Sequence, residues 1–378
     1  MALIVGLCVF LASATLLTAC DQGKPATEGV QYEIVGNEVQ VVGYTGTDKH
    51  VRIAEKVGPF YVRTIAEEAF KSCNGIKSVE IPDSVESIGK NAFQYCENLT
   101  GVAIGNGVKT IEDYAFDSCD SMTAIVIPDS VESIGAGVFN LCGNLTSVVL
   151  GSRVKSIGFA AFYQCYKLVE VVNKSAHITI KKEDSQNGKA GYYALAVYNS
   201  DDAFTGTKIS NDNGCMVYTD GDEKILVDYK GTETNLSIPT YITKINQYAF
   251  YECSTIKRVV ISDSVVSIGN YAFQCCDNLT SVVVGDGVVS IGNYAFDECE
   301  SLRSVTLGEN VESIGYSVFG SCKSLTSVTF DDTSTWYTAY NKSDWINKTG
   351  GTLEDVTSPN NNATYFKTLK TQAYWYKL

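Results

Sequence analysis

A phenylalanine recurs every 23 residues at Phe70, Phe93, Phe116, Phe139 and Phe162, lapses, and resumes with the same step at Phe250, Phe273, Phe296 and Phe319. Each is followed three residues later by a cysteine: Cys73, Cys96, Cys119, Cys142 and Cys165, then Cys253, Cys276, Cys299 and Cys322. A fixed step of this length means a solenoid, whose units contact only their neighbours and bury too little apolar surface to fold singly. The 378 residues therefore count as repeats rather than as globular domains.

Residues 93–115 show one unit: Phe93-x-x-Cys96-x-x-Leu99-x-x-Val102-x-Ile104-x-x-x-Val108-x-x-Ile111-x-x-x-Ala115. Val102-x-Ile104 has the period of two of a short strand with one buried face, as have Val79/Ile81, Ile125/Ile127, Val148/Leu150, Val259/Ile261, Val282/Val284 and Val305/Leu307. Stacked copies make a parallel sheet. Pro82, Pro128 and Pro239, or Gly105, Gly285 and Gly308, end the strand in a turn. A second extended piece, Val-x-x-Ile-Gly, returns the chain toward the other face. Ala-Phe-x-x-Cys has helical spacing with room for one or two turns.

These residues resemble the 23-residue leucine-rich repeats of the BspA-like surface proteins, also called the Treponema pallidum type, over about residues 60–172 and 236–330. The resemblance implies a curved right-handed leucine-rich repeat solenoid, α/β but strand-rich with short helical turns. It also implies a protein that is exposed on the cell surface, is not an enzyme, and adheres to proteins of a host or of neighbouring cells.

The rest of the chain is organised around two repeat blocks, 54–172 and 236–330. The apolar run Leu3–Leu17, ending Leu17-Thr18-Ala19-Cys20 before the polar Asp21-Gln22-Gly23-Lys24-Pro25, reads as an export signal over 1–19. The small residues before Cys20 resemble the lipobox of bacterial lipoproteins, which implies that Cys20 is acylated and anchors the chain in the cell envelope, with the run as an uncleaved anchor the alternative. Residues 20–30 are a linker. The period disappears over 173–235, but that insert ends in a copy of the start of the chain: Gly221-Asp222-Glu223 through Thr232 matches Gly36-Asn37-Glu38 through Thr47 at an offset of 185. Each block thus opens with a β-hairpin, the first within 31–53 and turning at Gly36-Asn37, the second turning at Asp220-Gly221. Gly191-Tyr192-Tyr193-Ala194-Leu195 resembles an insert of the same family, or is a half-buried aromatic patch.

Nine cysteines at one repeat position in an exported chain invite a disulfide reading. Residues in adjacent rungs lie about 4.8 Å apart, but their parallel Cβ vectors oppose the near-perpendicular disulfide dihedral. Buried free thiols acting as small hydrophobes are expected. Cys275, next to Cys276, is expected to point outward, and Cys215 lies off the ladder.

No chemistry is visible. The two histidines, His50 and His177, have no repeated acidic or nucleophilic partner, and no metal-ligand or phosphate-cradling pattern appears. No cofactor is expected. Asn-x-Thr at Asn98, Asn144 and Asn278 arises from the repeat itself. A net charge of −14 without a Lys/Arg cluster argues against nucleic acid or an anionic membrane as partner, leaving only a lipid anchor to join the chain to a bilayer.

Two surfaces are candidates for a protein or glycan partner. Between the buried strand residues, one row reads Glu80, Ala103, Val126, Val149, Val172, Val260, Val283, Thr306, Thr329. Five solvent-facing valines, Val126, Val149, Val172, Val260 and Val283, form a partner-binding ribbon unless β-propensity alone selects them. The tail 331–378 holds all three tryptophans, Trp336, Trp345 and Trp375, with Tyr337, Tyr340, Tyr365, Phe366, Tyr374 and Tyr376. It reads as a C-terminal cap over the last repeat, or as a platform stacking sugar rings in a glycan-binding lipoprotein.

Overall fold

The computed structural model describes residues 26–200, 204, 206–348, 351–369 and 372–377. The signal 1–19 and Cys20 lie outside them. Two compact units, Met1–Thr205 and Gly206–Leu378, each form a leucine-rich repeat solenoid.

Each rung runs through two strands and a run of turns. In the first unit the Val-x-Ile strands pair in parallel as His50–Arg52, Ser78–Glu80 and Gly101–Ala103, then as Ala124–Val126, Ser147–Leu150 and Glu170–Asn173. The returning Val-x-x-Ile-Gly pieces form a separate parallel sheet, with Ser87–Ile88, Thr110–Ile111, Ser133–Ile134 and Ser156–Ile157 in register. The Val-x-Ile strands of the first unit thus form two sheets, and the returning strands add another to the single sheet of the sequence reading. In the second unit the corresponding sheets run through Arg258–Ile261, Ser281–Val284, Ser304–Leu307 and Ser327–Phe330, and through Lys244–Ile245, Ser267–Ile268, Ser290–Ile291 and Ser313–Ile314.

The Ala-Phe-x-x-Cys segment is not helical. Its i→i−3 bonds, such as Gln94 N to Asn91 O at 3.1 Å and Cys96 N to Phe93 O at 3.2 Å, account for the helical spacing. Left-handed residues alternate with them, Asn91 at φ 56° and Tyr95 at φ 60°, and break any helix. Their peptides point along the solenoid instead: the N–H groups of Asn91, Phe93 and Tyr95 donate to the Asp113, Ala115 and Asp117 carbonyls of the next rung at 3.0, 2.7 and 2.9 Å. Helical geometry would satisfy those groups within the rung; here they bind rung to rung.

Phe70, Phe93, Phe116, Phe139 and Phe162 stack with centroids 4.8–5.6 Å apart, and Phe250, Phe273, Phe296 and Phe319 at 4.4–5.5 Å. The cysteines cap the turns behind them. The thiols of Cys96, Cys119, Cys142 and Cys165 donate to the carbonyls of Phe70, Phe93, Phe116 and Phe139 at 3.0–3.3 Å, and Cys276, Cys299 and Cys322 repeat the contact at 3.0–3.1 Å. A cysteine at this position is thus a small hydrophobe with one useful donor. Cys73 and Cys253, whose rungs follow no earlier Phe, are half-buried.

The hairpins open the blocks as anticipated in position. Val30–Val35 and Glu38–Tyr44 pair antiparallel, and the second strand joins the short-strand sheet in parallel with Phe60–Ile65. Cys215–Asp220 and Glu223–Tyr229 do the same in the second unit, but the turn is Gly221-Asp222, one residue beyond the expected site and in line with Gly36-Asn37 at the 185 offset. Tyr44 and Tyr229 fill the missing Phe slots, 6.0 Å from Phe70 and 5.5 Å from Phe250. Gly29 and Gly214 correspond at the same offset; both take positive φ, +90° and +86°, where an added Cβ would lie 2.4 Å from backbone atoms of Gly46 and Gly231. Cys215 occupies the place of Val30, and both are buried.

The insert closes the first block. Ala196–Tyr198 adds a parallel strand beside Glu170–Asn173, and the 3₁₀ turn Asn187–Lys189 sets the Gly188 carbonyl 2.8 Å from the Phe162 N–H. The tail closes the second. Trp336–Ala339 and Tyr374–Lys377 extend the short-strand sheet from Ser313–Ile314, while Asn362 donates through Nδ2 to Val328 O and Val356 O, both at 2.9 Å.

All eleven described cysteines are free, and burial pushes the Cys96 thiol up to about 12 and Cys119 and Cys165 well upward. A thiol titration without reductant is expected to find all eleven in denaturant and, in the native protein, only the half-buried Cys73, Cys253 and Cys275, with Cys275 reacting slowly. A deficit in denaturant would reveal disulfides and contradict the ladder.

Candidate binding faces

Because side chains alternate along a strand, each residue between the buried Val and Ile faces outward. In the first unit Val126 is 61% exposed and Val149 half-buried beside it in register. Val172, expected in the same exposed row, is 1% exposed, and Glu170 on the same strand is also buried. The cause is the insert, whose strand Ala196–Tyr198 sets Tyr198 opposite Val172, with Phe204 5.4 Å from the Tyr198 ring. In the second unit Val260 and Val283 are adjacent and exposed, followed by half-buried Thr306 and Thr329. The five-valine ribbon is therefore two short pairs, and neither is a conspicuous patch for a soluble surface.

The larger apolar surface lies on the turns. In the second unit Tyr248, Tyr271 and Tyr294 stack at 5.0 Å with interplanar angles of 6° and 5°. Tyr251 touches Tyr248 edge-on, and the row continues through Tyr316, Tyr374 and Trp345 with centroids 4.9–5.6 Å apart. These seven rings are half-buried. Their faces cover one another, so it is ring edges that line the outer side of the turns. In the first unit the turn face exposes Tyr95, Tyr114, Leu141, Tyr163 and Tyr192, and Phe159 at 87%. Lys189 sits over the rings of Tyr163 and Tyr192 at 4.4 and 5.1 Å.

Sequence reasoning passed over this row, although Tyr248, Tyr271 and Tyr294 recur at the repeat step. Read as helical, the segment hid which positions face solvent. The left-handed φ of 59°, 57° and 56° at these tyrosines turns them outward on one line.

Most of the aromatic tail offers no stacking platform; among its described aromatics Tyr340 is the exposed one, at 59%. Trp336, Trp375, Tyr376 and Phe366 are buried in the core, and Trp345 stacks on Tyr374 at 4.9 Å while its Nε1 donates to Trp375 O at 3.2 Å. A sugar needs an open ring face, and the closing of the last rung takes those faces. Trp336 and Trp375, on which the glycan reading leaned, thus belong to the cap. Cys275 lies on the outer face of its turn, half-buried, its thiol 3.6 Å from Glu298 Oε2 and pushed up to about 12 by burial. Such a thiol is a poor nucleophile.

No cluster of three or more His, Cys, Asp or Glu suited to a metal occurs among the described residues, and none of their helices is long and apolar enough to cross a membrane. His50 Nδ1 lies 2.7 Å from Ser78 Oγ. Charges on the short-strand face of the first unit pair along one row, Glu86 with Arg63 at 3.3 Å and with Lys109, and Glu132 with Lys155 at 2.6 Å.

One buried carboxylate stands out. Asp117 accepts from both Gln94 Nε2 and Asn140 Nδ2, at 2.8 and 2.7 Å. Its counterpart Asp297 accepts from Gln274 Nε2 at 2.9 Å, but Gly320 stands where the first unit has Asn140. Burial raises the Asp297 carboxyl to about 6, the Gln274 bond offsetting only part of the cost.

The profile of the BspA type leucine rich repeat region matches residues 62–186 and 229–343 in six copies. Among solved structures, the pneumococcal vaccine antigen PcpA is 19% identical over 81% of this chain and 80% of its own, with a TM-score of 0.42. A leucine-rich repeat protein from Bacteroides ovatus is 23% identical over 80% and 88%, TM-score 0.37. A leucine rich cell surface protein from Faecalibacterium prausnitzii is 20% identical over 89% and 98%, TM-score 0.33. No curated protein matches the chain.

A carboxyl whose folded pKa lies above its unfolded value loses stability as pH rises between the two, and carries the full penalty above them. For Asp297 that window runs from the ordinary 3.8 to about 6. Asp297→Asn is expected to raise the melting temperature of the second unit by about 3 °C at pH 7.5 and by nothing at pH 3.5, as differential scanning calorimetry would read. An equal gain at both pH values would show that the charge is not the cause.

Proposed function

The chain belongs to the BspA type leucine-rich repeat family, and from that premise we propose that it is a non-enzymatic binding protein of the bacterial cell surface, adhering to proteins of a host or of neighbouring cells. The tyrosine row of the second unit carries this reading. Aromatic rings that are already held by stacking present contact area with little rotamer entropy left to lose, and interface cores are enriched in Tyr and Trp. The row's ring edges suit a protein surface, which supplies apolar side chains to pack against them. A glycan partner would require open ring faces that the row does not present.

The valine pairs Val126–Val149 and Val260–Val283 stand as a second contact, with Val172 withdrawn beneath the insert. Anchoring is through Cys20, whose place at the end of the apolar run supports acylation. A single chain gives only marginal membrane affinity, so a diacylated or triacylated cysteine is required for stable attachment.

Two outcomes test this reading. On an array of host-cell surface and matrix proteins, Tyr271→Ala with Tyr294→Ala is expected to weaken capture at least tenfold with a melting temperature lowered by only a few degrees, whereas Val283→Lys weakens it less. Loss in the valine variant alone would move the contact to the sheet face, and unchanged capture in both would remove these surfaces. Metabolic labelling with radioactive palmitate is expected to mark the wild-type chain and not Cys20→Ser; equal labelling would place the lipid elsewhere.

A further inference from the structure

The two hairpins are copies, yet among the described residues only one has a covered edge. In the second unit Ile209–Asp212 pairs antiparallel with Cys215–Asp220, outside the hairpin, with Ser210 opposite Val217 and Ile209 opposite Tyr218. The Thr219 N–H adds a bond to Lys208 O at 3.0 Å. In the first unit the matching strand Val30–Val35 is the edge of its sheet. The residue that could turn back along it is engaged elsewhere: Thr27 N donates to Arg52 O at 3.0 Å, on the other sheet.

The duplication shows which groups face out. Cys215, Val217 and Thr219 turn their backbone to the covering strand, so Val30, Tyr32 and Ile34 turn theirs to the open edge. Edge strands are ordinarily blunted by lysine, proline, a bulge or a cover. Val30–Val35 has neither lysine nor proline, its bulge lies on the partner strand, and Ile34 and Val35 are 57% and 55% exposed. In the covered copy the same two positions are Thr219 and Asp220.

We propose that this edge pairs with the same edge of a second copy of the chain, antiparallel about a two-fold axis, joining the two short-strand sheets into one. The sequence of the strand is self-complementary in one register. Two registers engage both Tyr32 and Ile34 with strand residues. With Tyr32 opposite the second copy's Ile34, Glu33 faces the second copy's Glu33, and like charges directly opposite destabilise a pair. With Tyr32 opposite the second copy's Tyr32, Gln31 faces Glu33 twice, an amide against a carboxylate on the outer face. Val30 then faces Ile34 twice on the inner one, covering the exposed Ile34. Glu33 already accepts from Gln40 Nε2 at 2.6 Å, and a carboxylate has lone pairs for a second amide. The interface is isologous and closes at two copies, so it yields a dimer and not a filament.

Sedimentation of the full chain in density-matched detergent at micromolar concentration is expected to give a dimer. Ile34→Pro removes an N–H that only the second copy uses and is expected to give a monomer with an unchanged melting temperature. Gln31→Glu sets Glu against Glu in the favoured register and is expected to weaken association at least tenfold, which decides the matter should the proline variant fail to fold. A wild-type monomer, including one that takes up a strand of another protein at this edge, overturns the proposal. So does a dimer indifferent to both substitutions.

Discussion

Each rung of this protein leaves backbone N–H and C=O groups pointing along the stack, and every other feature follows from the need to satisfy them. In the turns the groups of Asn91, Phe93 and Tyr95 reach the next rung rather than closing a helix. In the strands the parallel ladders do the same. A buried unpaired backbone group costs as much as a lost hydrogen bond, so a stack of this kind cannot simply stop. It needs a hairpin to open it and something other than a repeat to close it.

That requirement explains the parts of the chain that break the period. The Gly29–Thr47 and Gly214–Thr232 modules each present a strand to the first short strand of a block and a tyrosine to its first phenylalanine. The insert ends one block by lending the Gly188 carbonyl to Phe162 and a strand to Glu170–Asn173. The tail ends the other with Asn362 and two added strands. Tryptophans that look like binding residues in isolation are consumed by this task, because the open end of a solenoid exposes a whole rung of core and needs large side chains to cover it. Positions that repeat without being needed inside, such as Tyr248, Tyr271 and Tyr294, stay at the surface of the turns.

How far the sequence could be read differs from residue to residue for physical reasons. Phe93, Cys96, Leu99, Val108 and Ile111 were legible as core because burial enforces one residue type at each position, and all five are at most 1% exposed. The turn run was misread because i→i−3 bonds impose helical spacing on a segment interrupted by left-handed residues four apart, such as Asn91 and Tyr95. Val172 was misplaced because its cover comes from Ala196–Tyr198, a strand outside the period and without a repeat signature. The Tyr44 and Tyr229 slots were missed because a tyrosine before Thr or Lys in a hairpin carries no mark of the phenylalanine stack it completes.

The sequence alone thus determined the repeat, its step, the two blocks, the paired hairpins and the packing role of the cysteines. These depend on contacts between neighbours at constant spacing, and constant spacing is visible in one dimension. Only the tertiary structure decided which outward residues remain outward, where the caps bury aromatics, and that one hairpin edge carries a strand while its copy carries none among the described residues. Those depend on non-repeating segments folding back over the stack, and where such a segment lands is set by which backbone groups the stack leaves unpaired.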